Sequence, residues 1–377
     1  LGDRLSFVYA NASGDYGEVC YPSGVKHYRF SPKHGHGGFW SAGRCARASY
    51  RAALEKRYGT IADLNTAWET RFGDFGDDLM PRLPLPSNSL TCRRDYMTWY
   101  TESLLSFTDQ VCRVYRNHFP DTSMSLPIGF PNERLQVGQI KSRAVKIAAK
   151  YGITVRWTGC GFLRSFPASN VLARRVASAA HFYGTDFGTE AALVLKKENA
   201  VNALYEGLAN ASSQIHDDPQ NILRASDMHS RLRPRLVVDP QDCKVAVYYP
   251  LESEMLETPG FGANRFLARC ASLRAAADFD LCDSFMIRDG YLDGKTDLIL
   301  VAKCSLPEDI VKLVLDYAGS RGRLWIDATC RVSSLKDDVD IVTRAQQRGY
   351  SAHDDSVPRA AGVYRFQEWP RFEPYAS

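Results

Sequence analysis

Two glutamates are placed to do chemistry. Glu18 sits in GDYGEVCYPSG (14–24), between glycine-containing turns and directly after LSFVYANAS (5–13), a run apolar enough to be a buried strand. Glu190 sits in GTDFGTEAAL (184–193), after another strand-like run. In a parallel α/β barrel the reactive groups lie at the C-terminal ends of strands, where the βα loops converge on one mouth. Residues 172 positions apart can therefore serve one reaction. Two carboxylates flanking a glycosidic bond are the minimum equipment for hydrolysing it: one protonates the leaving oxygen, the other is a nucleophile or a base on water. Taken singly, each glutamate reads equally as a surface carboxylate near a helix N-terminus.

The surroundings favour the chemical reading. Gly14 and Gly17 allow a tight turn beside Glu18. Tyr16, Tyr21, Phe39 and Trp40 supply flat apolar faces of the kind sugar rings stack on. Tyr16, Trp40 and Trp157 are candidate sugar platforms, and Asp15 and Asp186 lie near enough in sequence to tune the two glutamates. His34 and His36 have the spacing of a metal pair, but no third ligand presents itself, so a sugar hydroxyl contact or a solvated loop is the better reading. No cofactor is expected. YYPLESEM, after the strand-like run 244–249, offers proline and acids where a phosphate-binding loop would carry glycines. Cys304 follows a strand but lacks the glycine-flanked turn of a nucleophile, and no histidine follows it before His353.

The elements that must position these residues alternate. Strand-like runs at 5–13, 123–130, 152–159, 180–188 and 209–217 end in Gly, Asn or Asp and are separated by longer helical runs, the pattern of parallel strands joined by crossover helices. GRCARASYRAALEKRYG (43–59) reads as a helix stopped by Gly59. RRDYMTWYTESLLSFTDQVCRVYRNHF (93–119) places its aromatic and aliphatic residues near helical spacing. The register changes near residue 238, where a second α/β unit begins. The expected division is 1–237, 238–351 and an extended tail, 352–377, docked by Tyr364, Phe366 and Trp369.

Composition bounds the alternatives. The 377 residues are 45% hydrophobic and 24% charged, which describes a globular chain with real cores. A net charge of +4 without a basic tract argues against nucleic acid as a partner. No run approaches the ~18 apolar residues of a membrane span, so no membrane partner is expected. The ten cysteines are scattered, with no CxxC pair, and read mostly as small core residues.

A family resemblance extends this. YGTIADLNTAWETRFGDFGDD (58–78) resembles the stretch after the acid/base loop in glycoside hydrolase family 42 β-galactosidases. RRDYMTWYTESLLSF resembles the next barrel helix of that group, and HFYGTDFGTEAALVLKKENAVNALYEGLANASSQIHDDPQNI resembles the segment that carries its strand-seven glutamate. The segment from VAVYYPLES to GRLWI is similar to that family's flavodoxin-like, amidotransferase-like domain. The resemblance implies a portion of a (β/α)8 TIM barrel, with strands four to eight readable, followed by a flavodoxin-like α/β domain. It implies a carbohydrate substrate, β-galactoside first, with Glu18 as general acid/base and Glu190 as nucleophile. It also implies a homotrimer, held through the second domain.

Two departures accompany it. Gly17 stands where the family has asparagine, and GDYGEVCYPSG is closer to the Gly-x-x-Gly-Glu loop of β-amylases, which invert. Carboxylates ~5 Å apart would retain configuration, and a separation of ~6.5 to 9.5 Å would invert it. Strands one to three have no counterpart in this sequence, so they are expected from a longer polypeptide or from a separate chain, or else the barrel has degenerated in this descendant. The rival reading is a catalytically inactive, glycosidase-like structural subunit of a larger assembly.

Overall fold

The computed structural model describes residues 5–12, 14, 17–22, 39–81, 89–129, 137–158, 166–190, 197–216, 223, 230, 243–256, 263–274, 277–335, 339–350, 352–353 and 361–366. Two compact units emerge: Leu1–Pro127 with Asn132–Ile140, and Ile128–Pro131 with Lys141–Ser377.

In the first unit, β1 (Phe7–Tyr9) pairs in parallel with β2 (Ser123–Pro127), Phe7 beside Ser123 and Tyr9 beside Ser125. A parallel pair needs a long crossover. Here it contains α1 (Arg44–Tyr58), α2 (Ile61–Trp68) and α3 (Leu90–His118). Each helix end has a local cause. Gly59, at φ 71°, closes α1 by donating its N–H to the Glu55 carbonyl. Thr60 opens α2 by accepting the Asp63 N–H, and its hydroxyl donates to the Asp63 carboxylate at 2.7 Å. Ser89 caps α3 through the Cys92 N–H.

The residues that carry the family resemblance hold these three helices together. Tyr58 from α1 and Trp68 from α2 both donate to one oxygen of Asp95 on α3, the indole at 2.9 Å. Arg57 adds an ion pair at 3.2 Å. Asn65 organises the turn after α2: its amide accepts the Phe72 N–H and the Thr70 hydroxyl, and donates to the Phe72 carbonyl. Asp95 is 3% exposed, so its removal strands the buried Trp68 indole N–H and the half-buried Tyr58 hydroxyl. Asp95→Ala is expected to destabilise the fold by roughly 3 kcal/mol, read as a lower urea midpoint with an unchanged slope. A midpoint within error of the parent would show that these bonds contribute nothing net.

In the second unit, α4 (Lys141–Lys150), β3 (Thr154–Thr158), α5 (Phe166–Tyr183), β4 (Phe187–Glu190), α6 (Lys197–Ala209) and β5 (Gln214–His216) follow in strict alternation. β3 pairs in parallel with β4, and β4 with β5. Five parallel strands, two in the first unit and three in the second, thus alternate along the chain with helices in the rhythm of part of a (β/α)8 barrel.

The same unit holds a second sheet of β6 (Val245–Tyr248), β7 (Asp280–Cys282), β8 (Asp297–Leu300), β10 (Arg323–Asp327), β12 (Ala352–His353) and β13 (Gly362–Phe366). Its spatial order is β12-β13-β10-β8-β6-β7, with every pair parallel. Numbered by first appearance and leaving aside the two-residue edge β12, that is 2-1-3-4-5, a doubly wound order. A separate parallel pair joins β9 (Cys304–Leu306) to β11 (Val332–Ser334). Arg174 of α5 binds the carbonyls of Phe279 and Ala209 and pairs with Asp280, which Lys295 also pairs at 2.8 Å. Burial pushes the Asp280 carboxyl up, but the two cations outweigh it and hold it below the ordinary range.

Several sequence expectations shift here. The run 180–188 is not one strand: its first four residues finish α5, Gly184 at φ 72° follows, and the strand begins at Phe187. The apolar face of α5, Val171, Leu172, Val176, Ala179 and Ala180, keeps helical spacing to the end, which hides the boundary. Likewise the run 209–217 begins with the last residue of α6, and its strand is only Gln214–His216. Gly362–Phe366 is an interior strand of the second sheet, with Tyr364 and Phe366 both buried; Trp369 lies outside the described residues. Nine of the ten cysteines are described; none is disulfide-bonded, and all but Cys45 are buried.

Candidate active site

Glu18 follows β1 in a loop that only glycine can build. Gly14 and Gly17 have φ of 65° and 80°. A Cβ on Gly14 would stand 2.3 Å from the Cys20 carbonyl oxygen, and one on Gly17 would stand 2.5 Å from the Asn11 side chain. The loop is tied down on both sides of Glu18: Ala12 N–H donates to the Gly17 carbonyl, Val19 N–H to that of Pro127, and Tyr21 N–H to that of Val137. The Gln139 amide donates to the Val19 carbonyl at 3.0 Å. Glu18 itself is 1% exposed.

Aromatic side chains brace the same loop. Tyr21 packs on Tyr100 with centroids 4.5 Å apart, and Phe39 sets its edge against Tyr96 and Tyr100. The Trp40 indole N–H donates to the Pro22 carbonyl at 2.8 Å, and its backbone N–H donates to the Tyr100 hydroxyl. Trp40 is thus half-buried against the loop that carries Glu18. Asp15, Tyr16, His34 and His36 lie outside the described residues.

Glu190 is the last residue of β4, at the strand's C-terminal end. Thr158 stands beside it on β3 and His216 on β5; one row further in, Arg156, Gly188 and Gln214 align across the same three strands. Side chains in register on neighbouring strands share a face, and alternate residues along a strand share it too. That face is polar: Thr154, Arg156, Thr158, Glu190, Gln214 and His216. The opposite face carries Val155, Trp157 and Phe187, all buried. The strands are closely set at Gly188, where a Cβ would stand 3.3 Å from the Gln214 Cβ. On this face the Arg156 guanidinium pairs with Glu190 Oε2 at 2.7 Å, and the Thr158 hydroxyl reaches the same oxygen at 3.4 Å. The Glu190 side chain remains 28% exposed. The anionic carboxylate of this ion pair is the form that displacement at carbon requires.

His216 stands within 3.3 Å of the Gln214 amide oxygen. Burial, and then the charge of Arg156, push its imidazole below the ordinary histidine value. His181 in the last turn of α5 is lowered in the same direction by burial and by Arg174. A histidine whose folded value is depressed refuses a proton that the unfolded chain accepts. Its stabilising effect is therefore complete above about pH 6.5 and is lost on acidification, by at most about 1.4 kcal/mol per pH unit. The urea midpoint is expected to fall between pH 7 and pH 5.5, and less so in His216→Gln. Equal falls in both proteins would remove His216 from the account.

Two sequence-predicted site residues are corrected. Trp157 is 0% exposed, on the helix-facing side of β3 with the Lys141 ammonium 5.6 Å from its ring, so it has no face to offer a sugar. Asp186 precedes β4 and is exposed at the N-terminal end of the strand, four residues or roughly 13 Å from Glu190, too far to tune it closely. Arg156, Thr158 and His216 were not anticipated. The signal for Arg156 and Thr158 is the period-two alternation in TVRWT, which sends Trp157 one way and its neighbours the other. Among the described residues, no group of three or more His, Cys, Asp or Glu is placed to hold a metal.

Parts of the chain and its fold are similar to known proteins. Residues 36–134 match glycoside hydrolase family 42, described as Beta-galactosidase. That segment covers the α1–α3 layer and contains neither Glu18 nor Glu190. Over 140 residues, 34% of this chain and 23% of the relative, the sequence is 29% identical to a thermophilic β-amylase of Thermoanaerobacterium thermosulfurigenes. Among solved structures, an exo-carrageenase of family 42 from Bacteroides ovatus aligns with a TM-score of 0.59 at 13% identity, over 80% of this chain and 50% of its own. A β-galactosidase from Bacillus circulans sp. alkalophilus aligns with 0.59 at 14%, over 79% and 50%. The β-galactosidase of Halorubrum lacusprofundi aligns with 0.58 at 15%, over 74% and 49%. The likeness to the structures is one of fold, and the chain spans about half their length and about a quarter of the β-amylase. Over residues 36–134 the chain is thus similar in sequence to the glycoside hydrolase family 42 β-galactosidases, and over most of its length it shares their fold.

Proposed function

We propose that the protein to which this chain belongs hydrolyses a glycosidic bond, with β-galactosides as the first substrate class to test. Glu18 is the general acid and Glu190 the nucleophile. The glycosidic oxygen takes the Glu18 proton as its bond to the anomeric carbon breaks and Glu190 bonds to that carbon. Water then attacks the same carbon, gives its proton to Glu18, and releases Glu190 as a carboxylate.

The observation that carries the reading is Glu190 at the C-terminal end of a parallel strand, open to solvent and paired to Arg156 on the adjacent strand. That is where barrel enzymes keep reacting groups. The similarity to family 42 supports the reaction class, and Glu18 is buried in a loop anchored on both sides, which fixes its place relative to β1. By the same resemblance the protein is proposed to assemble as a homotrimer, which a solution mass measurement tests. The activity test is hydrolysis of 4-nitrophenyl glycosides by the full-length protein, β-galactoside first. Turnover that disappears in the two glutamine variants supports the reading; a pure, folded protein that turns over no glycoside in the set supports the inactive structural subunit instead.

A further inference from the structure

Glu190 is held by one oxygen only. Both of its contacts among the described residues, Arg156 Nη2 at 2.7 Å and Thr158 Oγ1 at 3.4 Å, fall on Oε2. Oε1 has no protein partner there, on a side chain 28% exposed. A carboxylate at the end of a glutamate side chain rotates broadly about its last torsion, so an unheld Glu190 would present either oxygen in many orientations. The Arg156 side chain is only 11% exposed and projects from β3 on the same face of the sheet as Glu190. Screening of such a shielded pair by salt is weak.

We propose that Arg156 is a positioning residue that pins Glu190 Oε2 and thereby selects Oε1 as the atom that bonds to the anomeric carbon; this rests on Glu190 being the nucleophile. Oε1 forms the bond to carbon as the glycosidic oxygen leaves with the Glu18 proton, and the Oε1–carbon bond breaks when water adds. Oε2 keeps its contact with Arg156 throughout. The guanidinium supplies a planar, directional donor that an ammonium lacks, so lysine is an incomplete replacement. The effect belongs in kcat, because the ion pair acts on the orientation of the attacking atom and touches no substrate group.

The test compares Arg156→Ala, Arg156→Lys and Glu190→Gln in the full-length protein, with 4-nitrophenyl β-galactoside as the probe. Arg156→Ala is expected to lower kcat about a hundredfold with KM changed less than about threefold, since a misplacement on the order of 1 Å costs that much. Guanidinium chloride in the assay is expected to return at least about a tenth of the lost rate to Arg156→Ala and to do nothing for the parent, and Arg156→Lys is expected to fall between the two. If the alanine variant does not fold, Arg156→Gln keeps a side chain on the sheet face without the charge and carries the same measurements. Unchanged kcat in the Arg156 variants with an inactive Glu190→Gln overturns the role of Arg156 and leaves Glu190 as nucleophile. A lost rate in Arg156→Ala that guanidinium does not restore also overturns it, by making the loss structural. A Glu190→Gln variant as active as the parent overturns the reading of Glu190 itself, and the inference with it.

Discussion

Glu190→Gln is expected to lower kcat for an aryl β-galactoside by about a thousandfold or more without changing the thermal midpoint. The amide has the shape of the carboxylate and can still accept from Arg156, so the ends of β3 and β4 keep their arrangement. What it lacks is an anionic oxygen able to bond to the anomeric carbon and leave again. Glu190→Ala sharpens the expectation. It opens space at the end of β4, and added azide can attack the anomeric carbon from the side the carboxylate occupied. The product is a glycosyl azide with inverted configuration, identified by proton NMR. Azide rescue with that stereochemistry is specific to a lost nucleophile. Initial rates of the two variants with and without azide, against a parent control, make the measurement.

Glu18→Gln is expected to be selective for the leaving group. A sugar or alkyl leaving group needs the donated proton, so its release is expected to fall about 10²- to 10⁴-fold. A dinitrophenolate leaves without protonation, so formation of the glycosyl-enzyme is expected to stay within about tenfold of the parent for that substrate. A plot of log kcat/KM against leaving-group acidity therefore steepens in the variant. Equal losses for both leaving groups would make Glu18 a structural residue. That outcome has a physical route, because Glu18 is almost wholly buried in a loop anchored to Pro127 and Val137.

The alternating architecture was legible because it rests on long patterns. The α3 helix shows its apolar spacing over many turns, Gly59 marks the stop of α1 where expected, and β6, β8 and β10 are short apolar runs between polar turns. What failed was local. Ala180–Tyr183 looks like the start of a strand because alanine and aromatic residues suit either element, and only the pairing of Val155 with Phe187 fixes where β4 begins. That shift matters for the site, since it turns Glu190 from a loop residue into the last residue of a strand. Trp157 was misplaced for a related reason: a tryptophan near a candidate sugar site attracts attention, but its orientation follows strand parity, and parity turns Arg156 toward Glu190 instead. The Tyr58, Asn65 and Trp68 pattern was readable as a family signature, but its work is structural, holding α1, α2 and their connecting turns against Asp95 of α3. A motif that identifies relatives need not lie in the site.

The most direct test of the account is covalent trapping. The full-length protein is incubated with 2,4-dinitrophenyl 2-deoxy-2-fluoro-β-galactoside, whose fluorine slows both steps and whose leaving group spares the first, so that a glycosyl-enzyme accumulates. Intact mass then gives the stoichiometry, and peptide mapping the site. The account predicts one fluoro-sugar per chain, attached to Glu190, lost on regaining activity and absent from Glu190→Gln. A label on another carboxylate, or substrate turnover in the parent with no label and inverted product, would contradict it.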